Sequence, residues 1–536
     1  MQWFVPFLLV GISFLLWMVI GGLRLSSERY GRRQPAAAGA GEDVQHLSPA
    51  DVAILIPAHN EEISIEATIA SVLRLVPASN VHVVADGCDD DTATIARGHG
   101  VNVLELFPAH GKAGGIQAAV AHFDLPRRFA VLLIVDADTE LDEHYLERGL
   151  ELLDDQDMVA LAGYAHASWK PRQLSIVGRF LVSYRTRLYA VMQWMKYGQT
   201  WRHTNVTPIV PGFASMYRTE VLPRMDLNPP GLVIEDFNMS FELHHKRLGK
   251  VAFRPSVFGT TQDPDNLYDY YRQICRWWLG FWQTVRRHKL WFSWFSAALA
   301  LFGLEVLVAS VVLALASLTV VLVALAPATG GLALHWEWYA AFHGALAPVV
   351  SPENLFFFVF VPDYLLTIAV ALWLRRPSLL VYGVVFVLIR LIDSTATLWT
   401  LLRTWRARST GRWTSPARRA VVSPAASGTG PGSDARRGAR TPAQPMTRTR
   451  TAPAAGDPRA GWRCNLPDMH HTIPILRDAV LMALLLALVA VVTPAVPVTV
   501  ALASAIIGVA LAGVYSHHRR IRAARGLLLN PGSPSR

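Results

Sequence analysis

Residues 131–138 read Val-Leu-Leu-Ile-Val-Asp136-Ala137-Asp138, an apolar run that ends in two carboxylates spaced one residue apart. A short apolar run of this kind reads as a strand buried on both faces of a parallel sheet. In open α/β sheets, ligands bind beyond the carboxyl ends of the strands. Period-two geometry would turn Asp136 and Asp138 to the same side. Two hard oxygen ligands there suit Mg2+ or Mn2+ bridging to a diphosphate. A D-x-D is short and common, so its surroundings must carry the reading.

Those surroundings alternate strand and helix from Asp51 onward. Val52–Ile56 reads as a buried strand, the Pro57–Ile63 segment as a polar turn, and Glu66–Leu75 as a helix. A second strand, Val81–Ala85, leads into Asp86-Gly87 and a helix over 92–99. A third strand covers Val101–Leu106, and Lys112 opens a helix that runs to about Phe123. Alternation of this kind predicts a parallel, doubly wound sheet. The first strand is not followed by G-x-G-x-x-G, which argues against a dinucleotide dehydrogenase. Residues 150–290 are less regular and rich in Trp, Tyr and Arg.

The chain as a whole is too apolar for an ordinary soluble enzyme of its length. Apolar residues make up 52% of its 536 residues and charged residues only 17%, so membrane helices are expected. Residues 1–24 predict a transmembrane helix with its N-terminus outside, because Arg24, Arg29, Arg32 and Arg33 follow the apolar run. A signal peptide is the rival reading, weakened by the lack of a positive n-region and of a clear cleavage site. Residues 25–50 read as a linker, 51–290 as the catalytic domain and 291–402 as transmembrane helices over apolar stretches 293–326, 354–374 and 378–402. A disordered basic linker spans 403–470, a transmembrane hairpin 471–520 and a tail 521–536. Three stretches between two cytoplasmic segments leave the parity open: either 378–402 is re-entrant or the linker lies outside.

The net charge of +10 fits cytoplasmic loops and anionic lipid rather than nucleic acid. No zinc-finger pattern or stacking-aromatic motif points to a nucleic-acid partner. Cys88, Cys275 and Cys464 are far apart, so neither a disulfide framework nor a zinc site is implied, consistent with reducing cytoplasm. Glu305, Arg390 and Asp393 fall inside apolar stretches, where ionisable residues are costly and often functional. They either line a polymer path or pair with one another. Trp278, Phe281, Trp282, Trp291 and Trp294 read as a membrane-interface belt, with a sugar channel as the alternative.

Seven motifs stand in order along the chain: Pro57-Ala58-His59-Asn60-Glu61, Ala85-Asp86-Gly87, Gly111-Lys112-Ala113-Gly114, Asp136-Ala137-Asp138, Pro211-Gly212-Phe213, Ile234-Glu235-Asp236, and Gln273 to Arg276-Trp277. The series resembles the family 2 glycosyltransferases of GT-A fold. It is more similar to the membrane-embedded, processive branch of cellulose, hyaluronan, chitin and poly-N-acetylglucosamine synthases. The resemblance implies a Rossmann-like α/β nucleotide-diphospho-sugar transferase domain in the cytoplasm, joined to an α-helical transmembrane region in a multi-pass cell-membrane protein. It implies a nucleotide-sugar donor, a UDP-sugar first, and Mg2+ or Mn2+ held by Asp136 and Asp138. Pro57, His59, Glu61, Asp86, Lys112 and Asp136 would form the donor side. The family's Asp-Asp-Gly is Ala85-Asp86-Gly87 here, and the threonine of its T-E-D is Ile234.

Asp236 would be the general base on the acceptor hydroxyl. Glu235, Gln273, Arg276 and Trp277 would clamp acceptor and diphosphate, the guanidinium through its planar fork. The implied activity is inverting, processive synthesis of an extracellular polysaccharide with coupled translocation. The alternative is transfer of a single sugar to a polyprenyl-phosphate or other lipid acceptor. Partners would be the donor, a growing glycan or lipid acceptor, and membrane lipids. The 479–515 hairpin resembles the two-helix accessory subunit of poly-N-acetylglucosamine synthases in architecture, which makes an export subunit a candidate partner.

Overall fold

The computed structural model describes residues 12–31, 46–170, 173–198, 201, 204–350 and 352–407. Helix α1 (Ile12–Gly31) precedes the α/β domain. Strands β1 (Val52–Ala58), β2 (Val81–Asp86), β3 (Asn102–Leu106) and β4 (Val131–Val135) alternate with helices α2 (Ile65–Val72), α3 (Thr92–Gly98) and α4 (Gly111–His122). They fall where the sequence pattern places them. β1, β2 and β4 are buried along their whole length, which is why they read as largely apolar runs, with His82 the polar exception inside β2. β1 pairs in parallel with β2 and β4, and β2 pairs in parallel with β3.

The second half adds β5 (Glu140–Leu141), α5 (Tyr145–Leu153), β6 (Met158–Ala167), α6 (Ile176–Tyr189), β7 (Ala214–Arg218), α7 (Glu235–His245), β8 (Lys250–Thr261) and α8 (Leu267–His288). The eight strands form one sheet in the order β3-β2-β1-β4-β7-β6-β8-β5. β7 runs antiparallel to both β4 and β6, and β5 antiparallel to β8. The all-parallel expectation is therefore corrected to a mixed sheet. Parallel neighbours need a crossover connection, and β6 and β8 have one, pairing in parallel with α6, β7 and α7 between them. β7 instead enters from the irregular segment 204–213 and runs back along β4.

Beyond α8 lie α9 (Trp294–Ala328), α10 (Val361–Trp373) and α11 (Phe386–Arg403). Among the described residues, two helices are long and apolar enough to cross a membrane by length and composition: Trp294–Ala328 and Ser378–Arg403. The 354–374 stretch, expected to span, does not qualify. A π-helical turn at Phe356–Phe360 precedes α10, which is only 13 residues long. The described part of α1 contains Arg24, Glu28 and Arg29 and packs on the 190–197 turn and on α9. Residues 1–11, most of the 25–50 linker, the 408–470 linker, the 471–520 hairpin with its accessory-subunit likeness, and the tail lie outside the described residues.

The ionisable residues of the apolar helices pair both with the α/β domain and with one another. Arg187 of α6 donates to Asp363 Oδ2 at 2.7 Å and to Thr367 Oγ1 at 2.8 Å. Arg390 reaches the other Asp363 oxygen at 2.9 Å. Asp393 accepts from Tyr184 and Tyr270, each at 2.7 Å. Lys196 faces Glu305 at 3.5 Å. These contacts fasten the C-terminal helices onto α6, α8 and the 190–197 turn, and α11 packs along both α8 and α9.

Candidate active site

β4 ends at Val135, and the Asp136 amide donates to the Phe213 carbonyl at 2.9 Å. Asp136, Ala137 and Asp138 therefore sit in a turn, held by Thr139 N donating to Asp136 O at 3.0 Å and by Thr68 Oγ1 donating to Ala137 O at 2.9 Å. Period-two strand geometry is not what aims the two carboxylates. The turn is, and it still brings both to one cavity. That cavity measures about 370 Å³.

Lys112 is the second residue of α4. Its ammonium lies 2.8 Å from Asp136 Oδ1 and 2.8 Å from Glu235 Oε1, with the Gly212 carbonyl at 3.5 Å. One cation thus joins the turn after β4 to the start of α7. Burial opposes its charge, but Asp136 and Glu235 outweigh burial and hold the ammonium well above its ordinary value. Glu235 answers in kind: burial alone would raise it, and Lys112 pulls it below the usual carboxylate range.

Asp236, the next residue, behaves differently. Its Oδ2 accepts from Gly212 N at 3.2 Å and its Oδ1 from Phe237 N at 2.7 Å. Burial, with the Glu235 charge beside it, raises its carboxyl to about 7. Two adjacent carboxylates with opposite shifts divide their tasks: Glu235 is fixed as an anion, and Asp236 is poised to take a proton near neutral pH.

Asp86 is fully buried, and its two oxygens accept from His110 N and Gly111 N at 2.7 Å each. It anchors the loop that delivers Lys112. Gly87 has φ +63°, and a Cβ there would meet Ala109 Cβ at 2.6 Å, so the Asp-Gly pair is required by the turn itself. His59 Nδ1 donates to the Asp86 carbonyl at 2.6 Å. Glu61 is buried, accepts from Ser64 Oγ at 2.8 Å and lines the cavity. Pro57, His59 and Asp86 are not among the cavity's lining residues, whereas Lys112, Asp136, Asp138, Glu235, Asp236, Gln273, Arg276 and Trp277 all are.

The far wall is α8, with Trp278 and Phe281 beside Arg276 and Trp277, and it is closed by Phe302 of α9 and Asp393 of α11. The aromatic belt accordingly divides: Trp278 and Phe281 face the cavity, while Trp294 is largely exposed. Arg185 of α6 is a residue that sequence reasoning missed. It is fully buried, donates to Gln273 Oε1 at 2.6 Å, and stacks 4.3 Å from the Trp277 ring centroid and 4.7 Å from that of Tyr270. A buried arginine in an aromatic-rich helix carries no spacing signal that would reveal it.

The profile of the family described as Glycosyltransferase like family 2 matches residues 49–280. That segment is similar to the family over the α/β domain that carries the site. A dolichyl-phosphate hexose transferase of Haloferax volcanii is 33% identical over 105 residues, covering 20% of this chain and 44% of that one. The chain thus spans less than half the length of that relative. An undecaprenyl-phosphate mannosyltransferase of Micrococcus luteus is 27% identical over 208 residues, covering 37% and 79%. A solved mannosyltransferase from Pyrobaculum calidifontis, in complex with GDP-Man and Mn2+, superposes with a TM-score of 0.43 at 16% identity, over 74% of this chain and 99% of that one.

Proposed function

We propose that the protein is a membrane-bound inverting glycosyltransferase that moves a sugar from a nucleotide-diphosphate donor to a lipid-linked phosphate. One observation carries this reading. A single cavity has the Lys112–Asp136–Asp138 cluster at one end and residues of two apolar helices, Phe302 and Asp393, at the other, with Asp236 and Arg276 between. A donor entering from water and an acceptor entering from lipid would meet at Asp236. The polyprenyl-phosphate transferases among the relatives support the same acceptor class. The two helices long enough to cross a membrane support its location, with the catalytic domain on the cytoplasmic side, where nucleotide sugars are found.

The chain's own residues divide the work. Lys112 faces the donor phosphates. Asp236, on the side opposite the leaving group, takes the proton of an acceptor that still carries one. Arg276 holds an acceptor or product phosphate through its planar fork, and Trp277 offers a flat face to a sugar ring. Asp136 and Asp138 would hold a divalent cation. Two hard carboxylates suit a Mg2+ or Mn2+ ion, which when bound would supply positive charge to the departing diphosphate.

Processive polymerisation is the second reading, favoured by Gln273, Arg276 and Trp277 all lining the cavity. The test is to incubate purified protein with UDP- and GDP-sugars, Mg2+ or Mn2+, and polyprenyl phosphate, following nucleoside diphosphate release and product size. Release that depends on the lipid phosphate supports the first reading. Long polymer formed without it supports the second.

A further inference from the structure

The position of Lys112 sets a condition on the donor site. Its ammonium bridges Asp136 Oδ1 and Glu235 Oε1 at 2.8 Å each, and its side chain is only 18% exposed. A divalent cation on the same Asp136 oxygen would lie about 2.0–2.6 Å from it, in the space the ammonium fills. Two cations cannot share that space in a partly desolvated cleft, where like charges repel far more strongly than in water.

We propose that Lys112 is a resident counter-cation of the donor-free site, which a divalent metal can replace only when a nucleoside diphosphate arrives to take over the lysine. This rests on the donor chemistry proposed above and deepens it. Two observations support it. The lysine pairs with Asp136 and Glu235 together, so the donor edge and the base edge share one counter-charge before any ligand binds. The Gly212 carbonyl, 3.5 Å from the ammonium, belongs to the segment whose amide holds Asp236. Movement of Lys112 toward a diphosphate would therefore act on both carboxylates of α7.

Charge accounting runs the same way. A doubly charged cation and a doubly anionic diphosphate entering together leave the net charge of the cleft unchanged. Metal alone would add two positive charges beside the Lys112 ammonium.

The experiment uses full-length protein in detergent and measures Mn2+ binding by the loss of free-ion electron paramagnetic resonance signal, with MnCl2 alone and with GDP or UDP. In the wild type, the nucleotide is expected to raise Mn2+ affinity by about tenfold or more, within the usual range of coupling between two ligands. In Lys112→Met, Mn2+ alone is expected to bind about tenfold more tightly than to the wild type, because the competing charge is gone. The nucleotide should then add little. Equal Mn2+ affinity of the wild type with and without nucleotide overturns the proposal, and that arm needs no variant to fold. Unchanged Mn2+ affinity in folded Lys112→Met also overturns it. Absence of Mn2+ binding in every arm instead removes the metal-assisted donor chemistry on which it rests.

Discussion

The donor end of the cavity and the helix anchor behind its far wall are built by opposite means. At the donor end, carboxylates sit at the ends of adjacent strands and at the start of α7, and one lysine is shared between two of them. In the helix anchor, charges are distributed over helices far apart in sequence. Arg187 and Asp363, 176 residues apart, are joined by a buried ion pair, and Arg390 closes the same network. The first arrangement leaves charge to be met by a ligand. The second leaves none, because its groups satisfy each other and fasten the helices in place. On the proposed reading the donor end is built for exchange of counter-charges, and the helix anchor for fixed geometry.

The sharpest way to break this contrast is to remove charge at each end in turn. Asp363→Ala leaves two buried guanidinium groups without their shared partner, a loss of about 3–5 kcal/mol for breaking a buried pair. The expected result is a lower unfolding temperature in detergent and early proteolysis between α9 and α11, with nucleotide binding to the catalytic domain retained. Asp138→Asn should do the reverse: folding is kept, and nucleoside diphosphate release falls by about 10³-fold, since loss of metal-assisted charge neutralisation costs several kcal/mol.

A subtler contrast lies within α7. Because burial and Glu235 raise the Asp236 carboxyl to about 7, its basic form is scarce below that pH. Transfer to a hydroxyl acceptor should rise with pH up to about 7, roughly tenfold per unit on the acid side, and level off above it. Asp236→Asn separates the two acceptor classes. A hydroxyl acceptor needs the base, and its loss costs about 10²–10⁴-fold. A phosphate monoester, with its second pKa near about 6, is already mostly ionised at neutral pH and tolerates the change far better. The smallest effect is expected for Tyr184→Phe. It removes one of two hydroxyls on Asp393 and should cost about 1 kcal/mol in thermal stability.

The same contrast explains what could be read from the chain. β1, β2 and β4 announced themselves because they are buried on both faces and end in functional turns. Lys112, Asp136, Asp138 and Asp236 were legible because each stands at an element boundary in a fixed order. The reason first given for Asp136 and Asp138 was wrong in detail, since a turn and not a strand aims them. The antiparallel entry of β7 was hidden because nothing local marks the direction of a strand that follows an irregular segment. Arg185 and Asp363 were invisible as site-builders. Their partners lie 88 and 176 residues away, and an isolated charge in an aromatic or apolar run has no periodicity. Asp86 carried a motif, but its observed task is to hold the backbone ahead of Lys112.

The most direct test of the central claim is the mass of the product formed by purified full-length protein in liposomes containing polyprenyl phosphate, given a nucleotide sugar and Mn2+. The account predicts a polyprenyl phosphate carrying a single sugar, with one nucleoside diphosphate released for each lipid modified. A lipid-free polysaccharide, or nucleoside diphosphate release indifferent to the lipid phosphate, would contradict it.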